Sequence, residues 1–211
     1  MTAEQNSDHL IIPAKTVHYE QLIKNSRFLC FIGHAADAAS ARAFIQSMRE
    51  RYPDARHVCW AFIAGELGQT TALSCSDDGE PAGTAGKPML NVLQHGGVSE
   101  IVAVVVRYFG GVKLGTGGLV RAYSSSVSEA MRALPLQEKV IMQPISLQLP
   151  YALEDVARRT LATYHSEIIE LQYGDCIQMT IHCPQQQVTG LRAALGNAGH
   201  GQIVVLDNGA A

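Results

Sequence analysis

Residues Ser76–Ser126 have the sequence SDDGEPAGTAGKPMLNVLQHGGVSEIVAVVVRYFGGVKLGTGGLVRAYSSS. This stretch contains an apolar run without a polar residue, Ile101–Val106. Such a short, β-branched run predicts a strand that is covered on both faces. A glycine-rich turn lies on each side of the strand, and each turn is expected to lead into a helix. From Thr116 onward, apolar residues recur in steps of three and four, which predicts that the second helix has one buried face.

The same stretch differs in charge from its surroundings. Residues 84–127 contain four cations and one acid, Glu100, a balance of 4 − 1 = +3; the cations are Lys87, Arg107, Lys113 and Arg121. Glycine lets backbone N–H groups approach a partner closely, and a helix N-terminus adds free N–H groups and a positive dipole end. Thr116 and Gly117 lie at the predicted start of the second helix. These features predict an anion or nucleic-acid site, although glycines that only close tight turns would give the same pattern.

Two nucleotide-binding motifs fail on inspection. Gly79–Pro88 resembles a P-loop, but that motif needs Gly where Pro81 stands and Ser or Thr where Pro88 stands. Gly115–Val120 lacks the final Gly or Ala of a dinucleotide-binding loop, and no acid follows at the expected distance. The sequence therefore supports neither a P-loop ATPase nor a nicotinamide enzyme, and it predicts no cofactor.

Two further groups of chemically active side chains lie upstream. His57 and Cys59 share a face of the strand that is predicted to begin at Arg56. This spacing fits a Cys–His pair or half of a metal site, but a buried structural cysteine is the favoured interpretation. Arg56 and His57, at the mouth of the strand, join the candidate binding residues. The acidic segment Asp77–Glu80 fits a hard cation or, preferably, a solvated turn with helix-capping carboxylates, so no metal site is predicted.

Length and composition indicate a globular protein without a membrane span. The chain has 211 residues, of which 47% are hydrophobic, so one large or two small cores can form. No apolar run approaches the roughly 18 residues of a membrane span, and Met1–His9 lacks the features of a signal peptide. The five cysteines contain no C-x-x-C pair, which favours reduced thiols. We therefore expect a cytoplasmic protein with no membrane partner; its oligomeric state is left open.

The pattern before the central stretch alternates between strands and a helix. The predicted elements are, in order, strands Thr16–Leu22 and Phe28–Gly33, a helix that Asp37 caps and that ends near Arg51, and strands Arg56–Ala64 and Gln69–Cys75. Within the central stretch, a helix is expected to start between Thr84 and Pro88 and to end at Gly96-Gly97.

After Leu134-Pro135 the composition changes, and Gln137–Lys139 is interpreted as a connector. The following elements are predicted to be strand Ile145–Tyr151, helix Leu153–Tyr164, strands Glu167–Tyr173 and Cys176–Cys183, helix Gln185–Ala198 and strand Gln202–Leu206. This β-α-β-β-α-β order is that of a ferredoxin-like domain. The sequence therefore predicts two α+β domains, at residues 1–137 and 144–211. Residues 1–140 contain 13 Lys and Arg and 13 Asp and Glu, so their formal charges cancel. Residues 141–211 contain 3 Lys and Arg and 6 Asp and Glu, a balance of 3 − 6 = −3. Phosphate contacts should therefore concentrate on the first domain.

Four segments of the chain resemble the IMPACT family, and most closely its bacterial two-domain members. They are Lys24-Asn25-Ser26-Arg27-Phe28, Ala55-Arg56-His57, Ser76–Leu90 and, above all, Val104–Tyr123. The resemblance extends over about Val17–Leu206, and the central motifs are long and specific. It implies that the N-terminal domain has the fold of the second domain of a small-subunit ribosomal protein, as in domain IV of elongation factor G. It also implies a ferredoxin-like C-terminal domain, as in domain V of that factor.

The resemblance implies a translation-linked or nucleic-acid-binding role and brings no established catalytic residues. Eukaryotic members regulate translation in amino-acid starvation by binding an activator of a kinase, partly through a domain that is absent here. Two function classes therefore remain. The first, which we favour, is a regulatory protein that binds RNA or the ribosome through the glycine-rich basic surface. The second is an enzyme that acts on a phosphorylated small molecule at the same site, with the nearby acids holding a metal.

Overall fold

The computed structural model describes residues 9–65 and 72–206, which divide into two compact units. The first comprises residues 10–139 and the second comprises residues 140–206 together with His9. Within the described ranges, no helix is both long enough and apolar enough to cross a membrane. Each unit is described by itself below.

The first unit contains a five-stranded antiparallel sheet with the strand order β2-β3-β6-β4-β5. Its elements are β1 His9–Pro13, β2 Val17–Ile23, β3 Ser26–His34, α1 Ala38–Arg51, β4 His57–Ala64, β5 Ala72–Ser76, α2 Gly86–His95, β6 Ile101–Tyr108, α3 Thr116–Arg132 and β7 Leu136–Val140. Residues 69–71 of the predicted fifth strand lie outside the described residues, and the other predicted elements of this unit are confirmed within a few residues.

The central strand β6 is buried on both faces, as its apolar run predicts. Ile101, Ala103 and Val105 belong to the core beneath α2 and α3. The alternate residues Val102, Val104 and Val106 pack in a second core with α1. Because successive side chains of a strand point to opposite faces, helices on both sides of the sheet require an uninterrupted apolar run.

Helix α1 begins where the sequence predicts. The Asp37 carboxylate accepts a hydrogen bond from Ser40 N at 2.7 Å, and Ser40 Oγ accepts one from Asp37 N at 3.1 Å. This reciprocal pair is a capping box, which satisfies N–H groups that the helix itself cannot.

The segment Gln137–Lys139 forms part of a strand, and the prediction of a connector is therefore wrong. It lies in β7, which pairs with β1 in a separate two-stranded sheet. Lys139 Nζ donates to Glu100 Oε1 at 2.6 Å, and His34 Nε2 lies 2.6 Å from the other oxygen of that carboxylate. Since β1 and β7 are short and distant in sequence, neither shows a local pattern strong enough to identify it.

The second unit is a four-stranded antiparallel sheet with two helices. Its elements are β8 Met142–Leu149, α4 Glu154–Thr163, β9 Glu167–Tyr173, β10 Ile177–Pro184, α5 Val188–Ala198 and β11 Val204–Leu206, with single 3₁₀ turns before each helix. The strand order β11-β8-β10-β9 is the 4-1-3-2 order of a ferredoxin-like fold. The alternating residues Ile177, Met179, Ile181 and Cys183 all enter the core, as predicted. The ferredoxin-like prediction is confirmed.

Candidate functional site

Four segments that are distant in sequence meet at one end of the five-stranded sheet. Strand β3 begins at Ser26 and β4 begins at His57, whereas β5 ends at Ser76 and β6 ends at Tyr108. Arg27 lies opposite Tyr108 and His57 lies opposite Arg107 in the sheet register. The loops that follow β5 and β6 therefore start side by side and lead into α2 and α3. We call this region the glycine-rich end: residues 24–27, 56–57, 77–87 and 107–121.

The loop after β6 packs tightly against the turn between β2 and β3. Gly110 N donates to Ser26 Oγ at 3.1 Å. A Cβ at Gly110 would lie 2.0 Å from the carbonyl carbon of Asn25, which is far inside van der Waals contact. Glycine is required here because the two backbones touch.

The loop after β5 is organised by a carboxylate that caps α2. Asp77 Oδ1 accepts from Ala85 N at 2.9 Å and from Gly86 N at 2.8 Å, and Oδ2 accepts from Gly83 N at 2.7 Å. Desolvation opposes the ionised form, but these three N–H groups lower the pKa of Asp77 below its ordinary value. The predicted capping role is correct for Asp77, and the N-terminus of α2 is occupied by the protein's own anion.

Asp78 fixes the start of β4. Its carboxylate accepts from Arg49 Nη2 at 2.7 Å and from Val58 N at 2.7 Å. The Nδ1 of His57 donates to the carbonyl oxygen of Asp78 at 3.0 Å, and this places the half-buried imidazole against the loop. These contacts make Asp78 a structural residue of the loop.

Glu80 and Arg107 form a buried ion pair at the centre of the region. Arg107 Nη1 donates to Glu80 Oε1 at 2.6 Å, and the two side chains are only 6% and 3% exposed. Tyr123 Oη donates to the same oxygen at 2.8 Å. The prediction of a solvated turn is therefore wrong for Glu80. The prediction that Arg107 belongs to an exposed basic surface also needs correction, because its guanidinium is enclosed and paired.

Cys59 continues this buried network. Its Sγ lies 2.9 Å from the carbonyl oxygen of Asp77 and 3.3 Å from Tyr123 Oη. Burial raises the pKa of the Cys59 thiol far above its ordinary value and also raises that of the Tyr123 phenol. A neutral, buried thiol is a poor nucleophile, so the structural interpretation of Cys59 holds. Among the described residues, no three His, Cys, Asp or Glu side chains surround a common point.

The remaining predicted residues lie at the surface but not in one cluster. Lys113 and Thr116 border a cavity of about 350 Å³ that Arg107 also lines. Arg121 borders a neighbouring cavity of about 310 Å³ together with Lys24. The other exposed members are Lys87, which lines a groove of about 760 Å³ between α2 and α3, and Arg56, next to the half-buried His57. The part of the chain that the structure describes contains no ion pair of Arg56, Lys87, Lys113 or Arg121.

Helix α3 begins without a side-chain cap, in contrast to α2. Gly115 occupies the N-cap position with φ +73°, a conformation that favours glycine, and its carbonyl accepts from Leu119 N at 2.9 Å. No side chain in the described ranges caps the first turn, where Thr116, Gly117 and Gly118 carry N–H groups without an intrahelical partner. The prediction that a glycine-rich turn leads into a helix is confirmed for α3, and Thr116 and Gly117 at its start are exposed.

Two residues of this region were missed by the sequence reasoning about the site. Phe109 is 55% exposed and lines the same cavity as Lys113 and Thr116. Lys24, in the turn between β2 and β3, lines the adjacent cavity with Arg121. Both lie in the motifs quoted above, and an aromatic residue directly after a strand end was the available signal for Phe109.

Comparison with known proteins connects this region to a family. Residues 24–131 match the Impact N-terminal domain, and residues 147–202 match a domain of unknown function, DUF1949. YigZ of Escherichia coli strain K12, described as an IMPACT family member, is 41% identical over 196 residues, which cover 93% of this chain and 96% of YigZ. The chain belongs to the IMPACT family.

Other IMPACT relatives extend the match. YvyE of Bacillus subtilis strain 168 is 34% identical over 169 residues, covering 80% of this chain and 77% of YvyE. A crystal structure described only as that of a hypothetical protein has a TM-score of 0.78 and 41% identity, and the match covers 94% of this chain and 97% of that one. The Impact N-terminal match includes all eight predicted binding residues, from Arg56 to Arg121, so the glycine-rich end lies entirely inside the IMPACT domain.

Proposed function

We propose that this IMPACT protein is a cytosolic, translation-linked regulator that binds RNA or the ribosome through the glycine-rich end of its N-terminal domain. The observation that carries the proposal is the group of exposed cations around the uncapped start of α3. Lys24, Lys113 and Arg121 are exposed there without ion-pair partners in the described ranges. A surface of this kind contacts phosphates through side-chain cations and backbone N–H groups together.

Few cations take part, so the affinity should be modest and sensitive to salt. Each cation that neutralises a phosphate releases a counterion, which contributes about 0.7 to the slope of log K against log salt for single strands. Arg107 does not contribute to this surface, because it is already neutralised by Glu80. The exposed set for a test is therefore Lys24, Lys113 and Arg121.

The proposal is tested by replacing these three residues with Ala in the full chain. Co-sedimentation with ribosomes and fluorescence anisotropy with single-stranded RNA should both show weaker binding by the variant, and its salt slope should fall by up to about 2. The matched control replaces Lys15, Arg42 and Arg159, three cations that are exposed elsewhere, and removes the same charge.

The two variants separate a surface from a general charge effect. The control should retain most of the affinity of the unmodified protein. Equal losses in both variants, or no loss in the first, would exclude the glycine-rich end as the binding surface.

A further inference from the structure

The N-terminus of α3 is free to bind an anion, whereas the N-terminus of α2 is already occupied by a carboxylate of the protein. At α2, Asp77 already supplies a carboxylate to Gly83, Ala85 and Gly86. At α3, Gly115 and Thr116, the N-cap and first helical residues, line a cavity of about 350 Å³. A 17-residue helix with an uncapped first turn stabilises a negative charge at this position.

A second, independent feature of the same cavity is an incompletely satisfied arginine. Arg107 lines the cavity, its side chain is 6% exposed, and its Nε has no hydrogen-bond partner among the described residues. A buried polar atom without a partner is costly and is rare in folded proteins. The wall of the cavity therefore contains a buried donor that the described residues leave unused.

The charge of the cavity lining also favours an anion. Arg107 and Lys113 supply two positive charges and Glu80 supplies one negative charge, a balance of 2 − 1 = +1. Glu80 is paired with Arg107 and also accepts from Tyr123. Lys113 has no ion-pair partner among the described residues, so Lys113 and the helix N-terminus remain available to a ligand.

An exposed aromatic ring completes the lining. Phe109 is 55% exposed, and the guanidinium carbon of Arg107 lies 5.7 Å from its ring centroid. The same guanidinium lies 5.4 Å from the ring of Phe28, so Arg107 is held between the two rings and supports Phe109 from one side. An aromatic platform next to a cationic phosphate site is the combination with which proteins bind single nucleotides of an unpaired strand.

We propose that this cavity binds one nucleotide, with the phosphate at Lys113 and the N–H groups of Thr116–Gly118 and with the base against Phe109. This inference rests on the proposed function and gives it a defined ligand, a phosphorylated nucleoside unit. The unit can come from single-stranded RNA or from a free nucleotide, and the two sources are distinguished below.

Gly117 supports this assignment because the fold does not need a glycine there. Its φ is not in the left-handed region, and the nearest heavy atom to an added Cβ, apart from the helix's own backbone, is Arg121 Nη1 at 3.9 Å. Alanine therefore fits the helix, but its methyl group would stand beside the N–H groups that receive the phosphate.

The experiment is a titration of the isotope-labelled full chain with uridine 5′-monophosphate and, separately, with an eight-nucleotide oligouridylate. Amide resonances of Thr116, Gly117 and Gly118 should shift with the bound species. Phe109→Leu should weaken binding about fivefold or more, as expected for a lost stacking contact. Gly117→Ala should weaken binding severalfold without lowering the melting temperature. The controls are Val112→Ala, in the same loop, and Gly196→Ala, at a helical glycine with open space around it.

The outcomes distinguish the inference from the function on which it rests. Shifts at α3 with both ligands support both proposals, and shifts with the mononucleotide alone support the cavity but contradict RNA binding. If the oligouridylate binds while the α3 amides stay unchanged, or while Phe109→Leu and Gly117→Ala bind normally, the cavity assignment is wrong and RNA binding survives. If neither ligand binds, the cavity assignment and the binding of single-stranded RNA are both wrong, and ribosome binding is decided by the co-sedimentation assay described above.

Discussion

Replacing Arg107 by Ala should strongly lower the free energy of unfolding of the first unit, because Arg107 is part of a buried ion pair. The substitution removes the cation that lies 2.6 Å from Glu80 Oε1 and leaves a carboxylate that is 3% exposed. Tyr123 remains as a donor to that oxygen, whereas the contact of Arg107 with the Phe28 ring is lost. Breaking a buried ion pair by removing one partner costs about 3–5 kcal/mol. That is a large part of the roughly 5–15 kcal/mol by which a domain is stable.

The assay can be confined to the first unit because the chain has a single tryptophan. Trp60 lies in β4, so its fluorescence in a urea titration reports the unfolding of the five-stranded sheet. Glu80→Gln keeps an acceptor at the same place and removes only the charge, and we expect a smaller loss of about 1–3 kcal/mol. The exposed cation Lys113 serves as the control, since Lys113→Ala should stay within about 0.5 kcal/mol of the parent.

If Arg107→Ala lowers the free energy of unfolding by less than about 1 kcal/mol, the reasoning is refuted, because a buried carboxylate that has lost its cation should strongly destabilise the fold. The double variant Glu80→Ala, Arg107→Ala supplies a further check. It should cost less than the sum of the two single variants, since neither charge is left alone.

Two further predictions concern the cap of α2 and the unit boundary. Asp77→Ala should lower the free energy of unfolding by about 1–2 kcal/mol, because three N–H groups at the start of α2 lose their acceptor. Since the folded state lowers the pKa of Asp77, the stabilisation by its carboxylate is fully present above the unfolded pKa of about 4 and is lost as the pH falls through the folded pKa. The stability of Asp77→Ala should therefore decrease less than that of the parent as the pH is lowered below about 4, in melts followed by Trp60 fluorescence. We also expect residues 1–140 and 141–211 to fold when expressed separately and to unfold cooperatively. A fragment that stops at residue 137 should be less stable than residues 1–140, because it lacks most of β7 and the Lys139–Glu100 ion pair. Fragments 1–140 and 141–211 that show no cooperative transition would contradict this prediction.

The sequence alone was sufficient to predict the helices and strands that have a clear local pattern of residues. Ile101–Val106 predicted a strand covered on both faces, and Asp37 marked the start of α1. The β-α-β-β-α-β order of the second unit followed from alternation, helical spacing and one Gly-Asp turn. These signals depend on neighbours within a few residues, so they can be recognised without knowing the fold.

The tertiary structure decided which polar residues are buried and which are free to bind. Arg107 and Lys113 are both cations near glycines, yet Arg107 meets Glu80, 27 residues away in sequence, whereas Lys113 meets no acid among the described residues. Asp77 turned out to occupy the start of α2 and thereby left α3 as the open helix end. The partner of a buried charge, like the partner of β7, comes from a distant part of the chain, and no local spacing identifies it.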